Sequence, residues 1–182
     1  LTNMDKEQSK NYLADQAERV IDEMESMRRG LLSGVGHLRK ADDMKAEANE
    51  WLKTGQTKRA LGRYLSAIWL LKGGDSPFPL DLAVCEAGEG QLSAPSGGAM
   101  AAILGSGSDA TLDAEPGVGK ARQVLHLNVA AAALQLQDFA GALEACNFVL
   151  KAEPKSEKAL FRLAKAHEGM GNTTQARGIL KR

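Results

Sequence analysis

The sequence carries no net charge. Its 182 residues include 23 Lys plus Arg and 23 Asp plus Glu, so the formal charge at pH 7 is zero. Nucleic-acid binding through bulk charge requires a strongly basic surface, and this balance argues against that class of function. A local basic patch on one face remains compatible with the composition.

Cysteine is scarce as well. Cys85 and Cys146 lie far apart, and no Cys or His spacing typical of a metal site is present. We therefore expect two reduced thiols, no metal and no cofactor, which favours a cytoplasmic location. No apolar run reaches membrane-spanning length, and no signal peptide is recognisable. The chain starts at Leu1 rather than Met, which suggests a fragment of a longer protein.

Residues 1–40 are predicted to form an N-terminal extension with one long amphipathic helix, from about Asp5 to Arg29. The glycines of "LLSGVGH" are poor helix formers and are predicted to end it. We expect its apolar stripe to pack on its own domain or a neighbour; the alternatives are self-association and a mobile helix. The stripe consists of Leu13, Ala17, Val20, Met24, Met27 and Leu31.

The rest of the chain divides into helical segments around a Gly/Ser-rich region. Residues 41–72 predict two helices, and residues 120–182 predict four. Residues 73–119 are predicted to form a long loop, with a short helical turn around 99–104. A loop this long is unusual inside a compact domain, so we interpret it as an insertion.

The helical segments repeat one another. A shift of 34 residues places Leu127 on Phe161 and Ala142 on Ala176. A shift of 82 places Ala60 on Ala142 and Leu61 on Leu143. The chain therefore holds three helix-turn-helix units in register, with the insertion between the first and the second.

The 34-residue period and its small residues resemble the tetratricopeptide repeat (TPR), as in "GRYLSAI" and "KAEPKSEKALFRLAKAHEGMGNTTQA". The resemblance implies an all-α superhelix of three repeats, 41–72, 120–154 and 155–182, with the third one truncated. The first helix of each repeat would line a concave groove.

Polar residues recur on these three first helices. Lys45 and Asn49 lie four residues apart in the first unit, Asn128 lies in the second, and Lys158 and Arg162 lie four apart in the third. Stacked units would bring three cations and two amides onto one wall. Such a wall suits an anion with several acceptor oxygens, for example the carboxylate end of a peptide.

This set resembles the carboxylate clamp of co-chaperone TPR domains, carried here by "KAEAN", "LHLNVA" and "SEKALFR". The resemblance implies binding of the acidic tail, ending Glu-Glu-Val-Asp, of heat-shock protein 90 or 70. Lys45, Asn49 and Asn128 would hold the terminal carboxylates. Lys158 and Arg162 would hold the side-chain carboxylate and nearby backbone.

Within the clamp class the second and third units look most like FK506-binding-protein immunophilins, in which a peptidyl-prolyl isomerase domain precedes the repeats. Those domains often carry Lys seven residues after the second-unit Asn, where this chain has Gln135. One donor charge is therefore missing, and we expect binding to be weaker or altered.

Other residues that could act are interpreted as structural. Lys151 and Lys165 are expected to be surface charges, and Trp51 and Trp69 to pack between helices. His126 and His167 lack a second metal ligand nearby in the sequence.

No nucleophile, base and orienting group occur together, so no enzyme activity is predicted for these residues. The alternative function is a scaffold that binds an unrelated partner through the N-terminal helix or the convex face.

Overall fold

The computed structural model describes residues 3–30, 34–73, 78–87, 103–104 and 115–181. These residues form eight α-helices and no strand, so the predicted all-α fold of helix-turn-helix repeats is confirmed. None of the described helices is long and apolar enough to cross a membrane. The helices are α1 (Asn3–Gly30), α2 (Gly34–Lys53), α3 (Thr57–Leu71), α4 (Leu80–Ala87), α5 (Val118–Gln135), α6 (Phe139–Ala152), α7 (Glu157–Gly169) and α8 (Thr173–Leu180).

Three hairpins, α2–α3, α5–α6 and α7–α8, stack in chain order. The second helix of each hairpin packs on the first helix of the next, α3 on α5 and α6 on α7. The first helices are also neighbours, because α2 contacts α5 and α5 contacts α7. This order brings the three helices that carry the predicted binding residues next to one another.

The turn inside each hairpin passes through a left-handed residue at the same repeat position. Gly55, Gln137 and Gly171 have φ values of 82°, 60° and 80°. These positions are separated by 82 and 34 residues, the same shifts that align the repeats in sequence. Gly adopts this conformation without a steric penalty, whereas Gln137 holds it despite its Cβ atom.

The first hairpin begins earlier than the sequence predicted. Helix α2 starts at Gly34, inside the segment assigned to the extension, and runs through Gly36. Each Gly costs roughly 1 kcal/mol of helix propensity relative to Ala. Burial of His37 and Ala41, with Leu38 packed against the core, offsets this cost.

The prediction of a loop over residues 73–119 is wrong at α4. This helix buries Leu82, Ala83 and Cys85 against α1 and α3. A Cβ atom added at Gly62 on α3 would lie only 3.1 Å from Cys85 Cβ, so the glycine allows the two helices to approach closely. Part of the predicted helical turn is present, since Ile103 and Leu104 are helical and buried, while 99–102 lie outside the described residues.

The apolar stripe of α1 packs on its own chain. Ala17 and Met24 are buried, and Val20 and Met27 pack against the core. The main neighbour of α1 is α4, with a smaller contact to α3. Among the predicted alternatives, the structure therefore shows packing of the stripe on its own chain, while Leu31 lies outside the described residues.

A buried ion cluster centred on Arg63 of α3 joins these helices. The guanidinium is 2.7 Å from a carboxylate oxygen of Glu47 on α2, 2.9 Å from Glu86 on α4 and 3.6 Å from Glu23 on α1. Arg63 is 6% exposed and Glu86 is 3% exposed. Burial alone would lower the pKa of Arg63, but the three carboxylates outweigh it and hold that pKa above its ordinary value. Four helices are thus linked through one charged group.

Replacing Arg63 with Met should destabilise the fold strongly, because it leaves the buried Glu86 carboxylate without its cation. The expected loss is about 3–5 kcal/mol of unfolding free energy, measured by urea denaturation. Glu23→Gln is the matched control, since this half-exposed partner is worth about 1 kcal/mol or less. Equal losses for the two variants would contradict the central role of Arg63.

Replacing Gln137 with Gly should stabilise the protein. A non-glycine residue in the left-handed region costs roughly 1–2 kcal/mol, and the greater unfolded-state entropy of Gly offsets part of the gain, leaving about 0.5–1 kcal/mol. Glu144→Gly, in the middle of α6, should instead destabilise by roughly 1 kcal/mol. If Gln137→Gly lowered the unfolding free energy in the same denaturation series, the left-handed conformation of Gln137 would be refuted.

Candidate functional site

The first hairpin contributes Lys45 and Asn49 from α2. The Lys45 ammonium lies 2.6 Å from a carboxylate oxygen of Asp42, one turn earlier on the same helix. Both side chains retain access to solvent, and exposed pairs of this kind contribute at most about 1 kcal/mol. A ligand carboxylate could therefore join this pair or displace Asp42. Asn49 is half-buried, and its Oδ1 accepts a hydrogen bond from the Tyr64 hydroxyl at 2.6 Å.

The second and third hairpins meet at Arg162. Its guanidinium extends from α7 to α5 and donates to the backbone carbonyl of Leu127 at 3.0 Å. That carbonyl belongs to the residue preceding Asn128, so Arg162 contacts the backbone of α5 next to Asn128 in the sequence. Asn128 and Arg162 are both half-buried, which leaves part of each side chain available to a ligand.

Lys158 is exposed on the first turn of α7. It has no ion pair or hydrogen bond among the residues that the structure describes. Its ammonium is therefore open to an external anion, in contrast to that of Lys45.

A pocket of about 480 Å³ lies between the C-terminal end of α5, the start of α6 and the length of α7, and it is lined by two of the predicted residues, Gln135 and Arg162. Its apolar wall includes Leu134, Phe139 and Phe161. Phe161 is 53% exposed, and the Lys165 ammonium lies 5.3 Å from the centre of its ring. Arg162 thus bonds to the backbone of α5 and also lines an amphipathic cavity.

Sequence reasoning missed Phe161 and Glu168 and assigned Lys165 to the ordinary surface, yet all three line this pocket. They share a helical face with Lys158 and Arg162, at spacings of three and four residues. That spacing was a usable signal. The sequence could not show that residues of α5 form the opposite wall of the pocket, because that contact depends on how the two helices pack.

The predicted residues form a row across three helices rather than a contact cluster. Within the described ranges, no hydrogen bond or ion pair joins any two of Lys45, Asn49, Asn128, Gln135, Lys158 and Arg162. Gln135 is exposed at the end of α5, where its Oε1 accepts from the Thr57 hydroxyl at 3.1 Å. The arrangement offers separate donors along adjacent helices, as an extended ligand with several acceptors requires.

The remaining candidates occupy structural positions. His126 is buried and stacked on Phe148, with ring centres 3.7 Å apart, and its Nδ1 lies 2.7 Å from the carbonyl oxygen of Arg122. Burial lowers the pKa of His126 to about 4, so the ring is neutral at pH 7. Trp69 packs edge-on against Phe78, and both cysteines are buried and take part in no disulfide among the described residues.

The described part of the chain shows no set of side chains that would bind a metal ion. No group of three His, Cys, Asp or Glu side chains there is placed to hold a metal ion.

Comparison with known proteins agrees with the repeat architecture. Residues 133–182 match the family model of the tetratricopeptide repeat. A 56-residue segment is 41% identical to the human peptidyl-prolyl cis-trans isomerase FKBP4, covering 31% of this chain and 12% of that protein. For the Arabidopsis thaliana isomerases PASTICCINO1 and FKBP42, identities are 41% over 59 residues and 44% over 52 residues. These cover 32% and 29% of this chain, and 9% and 14% of the relatives.

The matched segment thus spans only about a tenth of the length of these relatives. The predicted resemblance to TPR repeats of FKBP-type immunophilins is confirmed over this part of the chain. Three stacked helical hairpins, a repeated left-handed turn and a matching family model agree with one another, and the chain therefore carries tetratricopeptide repeats similar to those of FKBP-type immunophilins.

Proposed function

We propose that this chain is a protein-interaction module that binds the acidic C-terminal tail of heat-shock protein 90 or 70. The tail, ending Glu-Glu-Val-Asp, is bound by five donor side chains. The observation that carries the proposal is the adjacency of α2, α5 and α7, with Arg162 reaching from α7 to the backbone beside Asn128. The five donors are Lys45, Asn49, Asn128, Lys158 and Arg162.

The charges of these residues suit a peptide with a free carboxylate end and further acidic side chains. Lys158 is exposed and has no described ion-pair partner, and the exposed Asp42–Lys45 pair is weak enough to open. Charge-assisted hydrogen bonds contribute roughly 1.5–3 kcal/mol each before the ligand's ordering cost is subtracted. Two or three such bonds are sufficient for micromolar binding, about −8 kcal/mol, when apolar contacts add to them.

The pocket beside Arg162 provides those apolar contacts. Its wall of Leu134, Phe139 and Phe161 suits an apolar side chain upstream of the acidic residues. Gln135 occupies the rim, where a cation would add to the field of Arg162. The module is therefore expected to bind through charge at one end and apolar burial at the other.

In the same proposal the module acts by binding and carries out no catalysis, and it works in the cytoplasm as a co-chaperone domain. We infer that its parent is a peptidyl-prolyl isomerase, because the similar proteins are peptidyl-prolyl cis-trans isomerases. The alternative scaffold function through the N-terminal helix has less support, because the apolar stripe of α1 is used inside the chain.

Calorimetry with a peptide ending Met-Glu-Glu-Val-Asp tests the proposal. We expect binding that weakens at high salt and is abolished when the C-terminus is amidated, since amidation removes the terminal charge. Lys158→Ala and Asn128→Ala should each weaken binding about tenfold or more, the equivalent of at least 1.4 kcal/mol. Lys151→Ala, an exposed lysine on α6, is the matched control and should change nothing. Equal binding of the amidated peptide would refute the proposal.

Replacing Gln135 with Lys should tighten binding of the same peptide, because it adds a cation at the rim of the pocket. We expect roughly a twofold to fivefold lower Kd and a steeper dependence on salt. Gln137→Lys adds the same charge in the exposed turn outside the pocket and serves as the control. An equal effect of both variants would show that only overall charge matters.

A further inference from the structure

The amide of Asn49 is held by a side chain from the neighbouring helix. Tyr64 of α3 is fully buried, and its hydroxyl lies 2.6 Å from Oδ1 of Asn49 on α2. Asn49 itself is half-buried, so one end of its amide is directed into the hairpin. The orientation of that amide decides whether it offers donors or an acceptor to a ligand.

The distance indicates which end faces Tyr64. Bonds from a hydroxyl to an oxygen are typically about 2.5–3.0 Å long, whereas bonds that involve an amide N–H are typically about 2.7–3.2 Å. A separation of 2.6 Å therefore favours a Tyr64 hydroxyl that donates to Oδ1. Burial raises the pKa of Tyr64, so the phenol keeps the proton that this bond requires. Nδ2 then becomes the outer end of the amide, with two N–H groups.

We propose that Tyr64 is a positioning residue of the peptide-binding site, because its hydroxyl fixes the Asn49 amide with the Nδ2 donors toward the ligand carboxylate. This inference rests on the proposed function. Without the hydroxyl, the amide could rotate and present Oδ1, whose lone pairs repel a carboxylate. Tyr64 itself does not touch the ligand.

The hydrogen bond from a tyrosine hydroxyl to a groove-facing amide has no counterpart in the second and third hairpins. The repeat shifts place Cys146 and Leu180 at the positions equivalent to Tyr64 in the second and third units. Neither side chain carries a hydroxyl. The donors of the other hairpins are positioned differently, as the bond from Arg162 to the carbonyl of Leu127 illustrates.

Tyr64→Phe tests the inference, because it removes one oxygen atom and keeps the buried ring. We expect the Kd for the peptide ending Met-Glu-Glu-Val-Asp to rise roughly threefold to tenfold, the range for the loss of one hydrogen bond. Ser66→Ala is the matched control. It removes a buried hydroxyl from the same helix, one that bonds to Gly62 and Glu86 away from Asn49, and should leave the Kd unchanged even if the protein is less stable.

A double-mutant cycle separates positioning from a general loss of structure. In an Asn49→Ala background, Tyr64→Phe should no longer change the Kd, because no amide remains to be oriented. An equal loss in both backgrounds would overturn the inference. If the native protein binds and Tyr64→Phe binds equally well, Tyr64 is no positioning residue and the proposed function stands. If the native protein does not bind, both fail.

Nuclear magnetic resonance of the isotope-labelled native protein gives a second test, which requires no substitution. The Nδ2 protons of Asn49 should show weak cross-relaxation with the ring protons of Tyr64 and should shift when the peptide is added. Strong cross-relaxation without a shift on peptide addition would mean that Nδ2 faces the ring, and would overturn the inference.

Discussion

The buried guanidinium of Arg63 is the group on which the first half of this fold depends. A cation removed from water must find opposite charge, and here three separate helices supply it through Glu23, Glu47 and Glu86. Helix α1 and helix α4 are consequently packed against the first hairpin. Helix α3 is enclosed on all sides as a result, and its residues 60–71 are buried without interruption.

The same helix links this cluster to the proposed binding site. Arg63 pairs with Glu47 of α2, and the next residue, Tyr64, bonds to Asn49 two positions further along α2. The contact between α2 and α3 therefore contains two polar pairs within one turn of each helix. One pair holds the fold together, and in our proposal the other orients the Asn49 amide toward the ligand. The Asn49 amide, which we propose as a ligand donor, is thus fixed by the same helix packing that holds α1 and α4.

The proposed donor side chains differ in the intramolecular partners that hold them. In the first hairpin, Lys45 and Asn49 already have partners in Asp42 and Tyr64. In the third hairpin, Arg162 is held against α5, while Lys158 extends into solvent. A ligand bound as proposed would meet oriented groups at both ends of the row and one solvent-exposed cation, Lys158. Preorganised groups of this kind lower the entropy lost on binding.

The sequence by itself determined the repeats, the all-α class and the helices that carry the six candidate residues, because helix periodicity and small residues at close contacts are local signals. The shared turn position of Gly55, Gln137 and Gly171 follows from that register. The start of α2 at Gly34 and the existence of α4 were decided by tertiary burial, which outweighs glycine propensity and loop-like composition. The Arg63 cluster and the pocket beside Phe161 likewise join residues distant in sequence. No local pattern records such pairings, since their energy arises only when the helices exclude water from between them.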